Sequence, residues 1–173
     1  VYKLKTRKLV LSGLFIAFGV LLPMVFHQFN MGGPVFLPMH IPVLIAGMFL
    51  GVLPGLLVGL ITPIVSSLLT GMPVAFPMLP IMVFELATYG LVAGYLSQAL
   101  KANSYISLVL AMVAGRIAAG LVVFILGTFF GFQGPGPILF VQGAIVTGIP
   151  GIIIQLAFIP LVVNLLKKHV NTD

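Results

Sequence analysis

The sequence contains no cysteine, which excludes disulfides, thiolate metal sites and thiol catalysis. It is also poor in charge. Of 173 residues only 6% are charged, and just two are acids, Glu85 and Asp173. A soluble domain carries about one-quarter charged residues, because water must solvate its outside. Two acids and eight Lys/Arg cannot clothe a water-facing surface of this size. What is present instead is apolar: 61% of the residues are hydrophobic. The solvent around most of the chain is therefore lipid, and the sequence reads as an all-α membrane protein.

A spanning helix needs ~20 apolar residues, so this length admits at most about six or seven spans with short connections. A net charge of +6 would suggest nucleic acid for a soluble protein. Here the basic residues gather at the chain ends, where anionic lipid headgroups or a cytoplasmic partner meet them, and no nucleic acid is expected. The first apolar run follows a basic stretch, as in a signal peptide. It lacks a small-residue cleavage site and further spans follow, so a retained helix is expected.

Apolar runs separated by Gly/Pro clusters predict a single transmembrane domain over 1–173, a compact bundle of six helices. The spans are placed at about 9–26, 39–50, 55–69, 78–100, 105–130 and 138–166, with Gly51 and Pro54 marking a tight turn between the second and third. Six spans put both termini and the turns after spans 2 and 4 on one side. That side carries Lys3, Lys5, Arg7, Lys8, Lys101, Lys167 and Lys168, while the three loops on the other carry no Lys or Arg. The positive-inside rule then makes the termini cytoplasmic in a bacterial cell membrane and turns the three longer loops outward. Loops 31–38 and 71–77 are apolar and rich in Gly and Pro. Backbone outside helices cannot rest in lipid unless protein or water satisfies it. Such loops either fold back over the outer mouth as a lid or are ordinary tight connections.

Two charged residues fall inside predicted spans, Glu85 and Arg116. An ionised side chain at the bilayer centre costs at least about 2.5–3.5 kcal/mol, so each needs a partner or a polar cavity. Glu85 lies ~10 Å from the outer edge and Arg116 ~14 Å, at 1.5 Å per helical residue in a ~30 Å core. Two readings stand: an ion pair that clamps spans 4 and 5, or a ligand site. Tyr89, four residues after Glu85, shares its helix face. His40 opens span 2 from the outer side, and Gln142 lies one turn into span 6. Asn30, His27, Thr70 and Gln133 decorate the outer loops. Polar groups thus concentrate in the outer half, which suits capture of a small molecule from outside. A lone His40 at a helix start also has an ordinary reading as a cap or interface residue. Thr88, Thr147 and Gln155 read as interhelical hydrogen-bonding groups. In span 1, Gly13 and Ala17 with nearby Ser12 and Gly19 give one small-residue face that lets another helix approach. Gly55/Gly59 and Gly90/Gly94 repeat that spacing and are expected to serve internal packing.

Catalysis finds little footing. No Gly-x-x-x-x-Gly-Lys-Ser/Thr phosphate loop occurs, so any ATP is hydrolysed elsewhere. An intramembrane enzyme needs clustered acids, a His/carboxylate metal site or a nucleophile–base pair. One membrane carboxylate and two well-separated outer histidines oppose all three, and no metal or cofactor is expected. A stand-alone carrier usually shows internal repeats and broken helices around a midplane site, and the two halves show no convincing repeat.

Several segments carry a family likeness: Arg7-Lys-Leu-Val-Leu-Ser-Gly-Leu-Phe-Ile-Ala, Leu37-Pro-Met-His-Ile-Pro-Val-Leu-Ile-Ala-Gly, Gly59-Leu-Ile-Thr-Pro-Ile-Val-Ser-Ser-Leu-Leu-Thr-Gly-Met-Pro, Phe84-Glu-Leu-Ala-Thr-Tyr-Gly and Gly115-Arg-Ile. Over essentially its whole length the chain resembles the substrate-binding S component of energy-coupling factor (ECF) vitamin transporters. The resemblance implies a six-helix, non-catalytic subunit that binds one vitamin or precursor near the outer face. It also implies docking on a transmembrane coupling subunit (EcfT-like) attached to two ATPases, with the S component toppling to release substrate inside. The family's Ala-x-x-x-Ala docking motif falls here on Gly13 and Ala17. Gly departs from the first position but preserves close approach. The candidate substrate set is the one read from the residues themselves: His40, Glu85, Tyr89, Arg116, Gln142 and Asn30. The branch looks most like S components for hydroxymethylpyrimidine or vitamin B6, with pantothenate as the alternative. Glu85 could accept from an aminopyrimidine or pair with a pyridinium, and Tyr89 could stack on the ring. Pantothenate would instead place its carboxylate on Arg116. Mutual neutralisation of Glu85 and Arg116 would remove that preference.

Overall fold

Lipid offers no partner for a free N–H or C=O, so a chain this apolar must close its backbone bonds within helices. The computed structural model describes residues 6–28 and 32–169, and every regular element among them is helical. The helices are α1 (Thr6–Gln28), α2 (Gly33–Phe36), α3 (His40–Leu50), α4 (Val52–Thr70), α5 (Met78–Gly94), α6 (Ser104–Phe129) and α7 (Pro137–His169), with a π turn Tyr95–Ala99 extending α5. Among the described residues six stretches are long and apolar enough to cross a membrane, and the second is α2 with α3, Gly33–Leu50.

Two boundaries differ from the sequence reading for identifiable reasons. The second span begins with the extra turn α2, where the Gly32 carbonyl accepts from the Val35 and Phe36 amides. Leu37, left-handed at φ 51°, then joins α2 to α3. Between α3 and α4 the turn is Gly51 alone, at φ 110°. Pro54, expected in that turn, sits in the first turn of α4, where its missing N–H would have no intrahelical partner anyway.

Helix α3 is the centre of the bundle. It is buried on nearly every side and packs against α1, α4, α5 and α7. The packing against α4 and α5 is backbone on backbone. A Cβ added at Gly47 or Gly55 would fall on the Gly90 carbonyl, and one added at Gly90 on the Gly55 carbonyl. Hydrophobic burial does not drive helices together in lipid, so such close van der Waals approach supplies the association.

At one end of the bundle, the Met48 and Phe49 carbonyls are left over from the last turn of α3. Ser97 Oγ donates to the Met48 carbonyl at 3.0 Å, and Gln98 Nε2 donates to Met48 and Phe49 at 2.7 and 3.3 Å. Lys167 Nζ donates to Ser97 Oγ at 2.9 Å, drawing the end of α7 into the same network. The C-terminal ends of α3, α5 and α7 therefore meet at one end. At the opposite end the loops behave differently from one another. The first folds inward: α2 rests on α7 where Gly151 leaves room for the Val35 and Phe36 carbonyls. The second is pinned to α4, since Ser66 Oγ donates to the Met72 carbonyl and Ser67 Oγ to Pro73, both at 2.7 Å. Its Phe76 meets Phe132 of the third loop edge-on, with ring centroids 6.3 Å apart. The first loop thus packs against α7, while the second leaves Met72, Val74 and Phe76 exposed at the rim.

Candidate functional site

Four residues from three helices converge in the loop-bearing half of the bundle. Spacing of four on α5 turns Glu85 and Tyr89 to the same face, and the Tyr89 hydroxyl donates to Glu85 Oε1 at 2.9 Å. From α6, Arg116 Nη1 lies 2.7 Å from the same oxygen. From the start of α3, His40 Nε2 stands 3.6 Å from it, beyond hydrogen-bond length. Both His40 ring nitrogens are buried and lack a hydrogen-bond partner among the described residues. The imidazole lies against the Tyr89 ring with centroids 5.2 Å apart. Room for that ring comes from Gly115 on α6, where any Cβ would strike it. Glu85 and Arg116 are 4% and 9% exposed, so the pair is a buried one. Removing one partner of such a pair costs about 3–5 kcal/mol, because the other is stranded as an uncompensated charge.

Beside this cluster lies an open-sided cavity of about 570 Å³ between α6 and α7, along whose rim Val113, Ile117 and Ile138 are exposed. That is within the range of ~300–1,000 Å³ typical of small-molecule sites. Among its sixteen lining residues the polar side chains are those of Tyr89, Arg116, Gln142 and Gln155. The rest of the wall is apolar, including Leu37, Met112, Val113, Ile117 and Ile145. Gln155 also donates to the Leu37 carbonyl at 3.4 Å, tying the first loop to α7. Glu85 and His40 do not line the cavity. They stand behind Tyr89 and Arg116.

The structure thus brings together His40, Glu85, Tyr89 and Arg116 and sets Gln142 on the adjoining wall. Asn30 and the His27 side chain lie outside the described residues. Thr70 donates to the Ser66 carbonyl of its own helix, and Gln133 is exposed. Thr88 bonds within its own helix, to the Phe84 carbonyl, and Thr147 is exposed, so neither of them joins helices. Gln155 does, and it also belongs to the cavity wall. The single small-residue face expected on α1 is two faces. Ser12 and Gly19 turn inward, whereas Gly13 and Ala17 point away from the bundle, and a Cβ at Gly13 would meet nothing within 4 Å. Exposed Val10, Leu14, Phe18 and Leu21 accompany them. Among the described residues no three His, Cys, Asp or Glu side chains are grouped to hold a metal ion. What the sequence did not reveal is the apolar wall, because an aliphatic residue facing a cavity and one facing lipid have the same chemistry.

A family model described as "ECF transporter, substrate-specific component" matches residues 7–163. Comparisons with curated proteins and with solved structures gave no match.

Proposed function

The chain belongs to the substrate-specific components of ECF transporters, and on that premise we propose that it captures a vitamin or vitamin precursor outside the cell for ATP-driven uptake. As a member of that family it is a membrane transport subunit, partnered by EcfT and ATPase subunits. Its catalytic set is empty in this reading, and the partner ATPases hydrolyse the ATP. The observation that carries the proposal is the cavity walled by Arg116, Tyr89 and Gln142. Its wall starts at Pro137 and Ile138, at the end of the bundle whose three loops lack Lys and Arg, and runs past the middle of α6 to Val109. The positive-inside rule turns that loop end outward and leaves both termini cytoplasmic. In this scheme Arg116 and Gln142 hold the substrate, Tyr89 supplies a ring face, and Glu85 with His40 orients Arg116 from behind. Asn30 completes the set from the first loop. Gly13 and Ala17 form the face that meets the coupling subunit, and their outward direction on α1 supports that role.

A hydroxymethylpyrimidine- or pyridoxine-like substrate depends on Glu85 reaching the ligand directly. With Oε1 engaged by Arg116 and Tyr89 and the carboxylate behind the wall, the geometry lends that substrate no special support. Arg116 on the wall favours the second reading, an acid such as pantothenate.

Reconstitution tests the function. Proteoliposomes holding this chain, a coupling subunit and both ATPases should accumulate a labelled vitamin only with ATP. The chain alone should bind one molecule and move none. Flux through the chain alone would make it a stand-alone carrier instead.

A further inference from the structure

We infer that the cavity takes a monoanionic carboxylic acid with an aliphatic body, and that its binding brings one proton onto His40. The inference rests on the substrate-capture reading above and specifies its chemistry. The wall offers a single charged group, Arg116, two amides and a phenol on an otherwise apolar surface. A heteroaromatic ring bearing several donors and acceptors would leave some of them unmet against aliphatic side chains. An aliphatic body would not. Guanidinium carries five N–H donors in a planar fork, and Nη1 is the nitrogen set 2.7 Å from Glu85. The fork suits a second carboxylate on its cavity side.

Charge counting then calls for the proton. In this half of the bundle α3 contributes His40, α5 contributes Glu85 and Tyr89, and α6 contributes Arg116. Helices α2 and α4 carry no titratable side chain, and those of α7 lie at its far end, in Lys167, Lys168 and His169. Helix α1 carries Arg7 and Lys8 at its far end and His27 at its outer end. Glu85 and Arg116 sum to zero. An arriving carboxylate would leave one uncompensated negative charge in a low-dielectric site, which is costly. His40 is placed to cancel it: its Nε2 is 3.6 Å from Glu85 Oε1, and neither ring nitrogen is committed elsewhere among the described residues. With His40 protonated, two cations face two carboxylates and the loaded site is neutral.

The test uses the purified chain in nanodiscs and native mass spectrometry against an equimolar panel. Lipoate represents an acid with an apolar body, biotin and pantothenate acids whose bodies carry polar groups; pyridoxine, hydroxymethylpyrimidine and thiamin represent neutral and cationic rings. One acid bound per chain, weakened about 100-fold or more by Arg116→Gln, is the expected result. Retention of a ring compound alone overturns this inference and leaves substrate capture standing, whereas retention of nothing counts against capture itself. Calorimetry of the retained acid in two buffers of different ionisation enthalpy should then show uptake of about one proton per ligand, with affinity falling as pH rises. Binding without proton uptake by the unmodified chain overturns the proton step. His40→Asn and His40→Gln should abolish the pH slope, and a slope surviving in a folded variant removes His40 from it.

Discussion

Two spans of this bundle reverse the rule that governs soluble proteins. Thr6–Phe26 is the more hydrophobic, yet only 17% of its most apolar stretch is buried; Gly33–Leu50 is less hydrophobic, and 72% of it is buried. In water the greasier helix would go inside. In lipid the outside is as apolar as leucine, so greasiness no longer sorts helices. Helix α1 has buried small or polar groups on one face alone, in Ser12 and Gly19, whereas α3 has a reason to be surrounded: Gly47 pressed on α4 and α5, and His40 needing shelter. The interior of this protein is chosen by small size and polarity.

The sharpest way to break that contrast is to add bulk where α3, α4 and α5 touch. Gly90→Leu would drive a side chain into the Gly55 carbonyl, which cannot swing aside as a side chain could. Overpacking commonly costs 1–3 kcal/mol, and here it should exceed about 3 kcal/mol and prevent folding. The check is a monodisperse peak in size-exclusion chromatography, which the variant should lose.

Next in size is the charged shelter itself. Arg116→Leu strands Glu85 among apolar neighbours and should cost about 3–5 kcal/mol in thermal unfolding. Adding Glu85→Gln to it should recover much of that loss, since the stranded charge is then gone. A double variant no more stable than Arg116→Leu would mean that the pair contributes to folding by something other than its charge.

A smaller effect belongs to the opposite end, where Gln98 serves two carbonyls of α3. Gln98→Ala should cost about 1–2 kcal/mol, because water reaches this end and takes over part of the bonding. Chemical denaturation in mild detergent would read the difference. A loss as large as that of Arg116→Leu would show this end to be as dry as the charged one.

These contrasts also explain what the sequence disclosed and what it hid. Six spans were legible because lipid permits so few backbone solutions. The meeting of Glu85 and Arg116 was legible too, since both were estimated to lie 10–14 Å deep at ~1.5 Å per residue, and their charges make solitude expensive. Rotation of each helix about its axis was not. Half-buried Met112 and Leu156 line the cavity while Leu14 and Phe18 on α1 face outward, and hydropathy does not tell the four apart. The same blindness merged Ser12 and Gly19 with Gly13 and Ala17, although helical geometry turns the two pairs to different sides. Helix α2 was missed because four residues among Gly and Pro have no period to read.

The smallest expected stability change therefore carries the largest functional one. Gly13 has open space where its Cβ would be, so Gly13→Leu should alter stability by less than about 0.5 kcal/mol, as at an ordinary surface site. Substrate binding by the isolated chain should be unchanged, because the cavity lies between α6 and α7 and none of its wall comes from α1. ATP-dependent uptake by the assembled transporter should nevertheless be abolished, since a leucine there holds the coupling subunit's helix away from Ala17. Binding and uptake measured side by side separate the two roles. Undiminished uptake by Gly13→Leu would place the docking face elsewhere and leave the exposed stripe of α1 as lipid-facing surface alone.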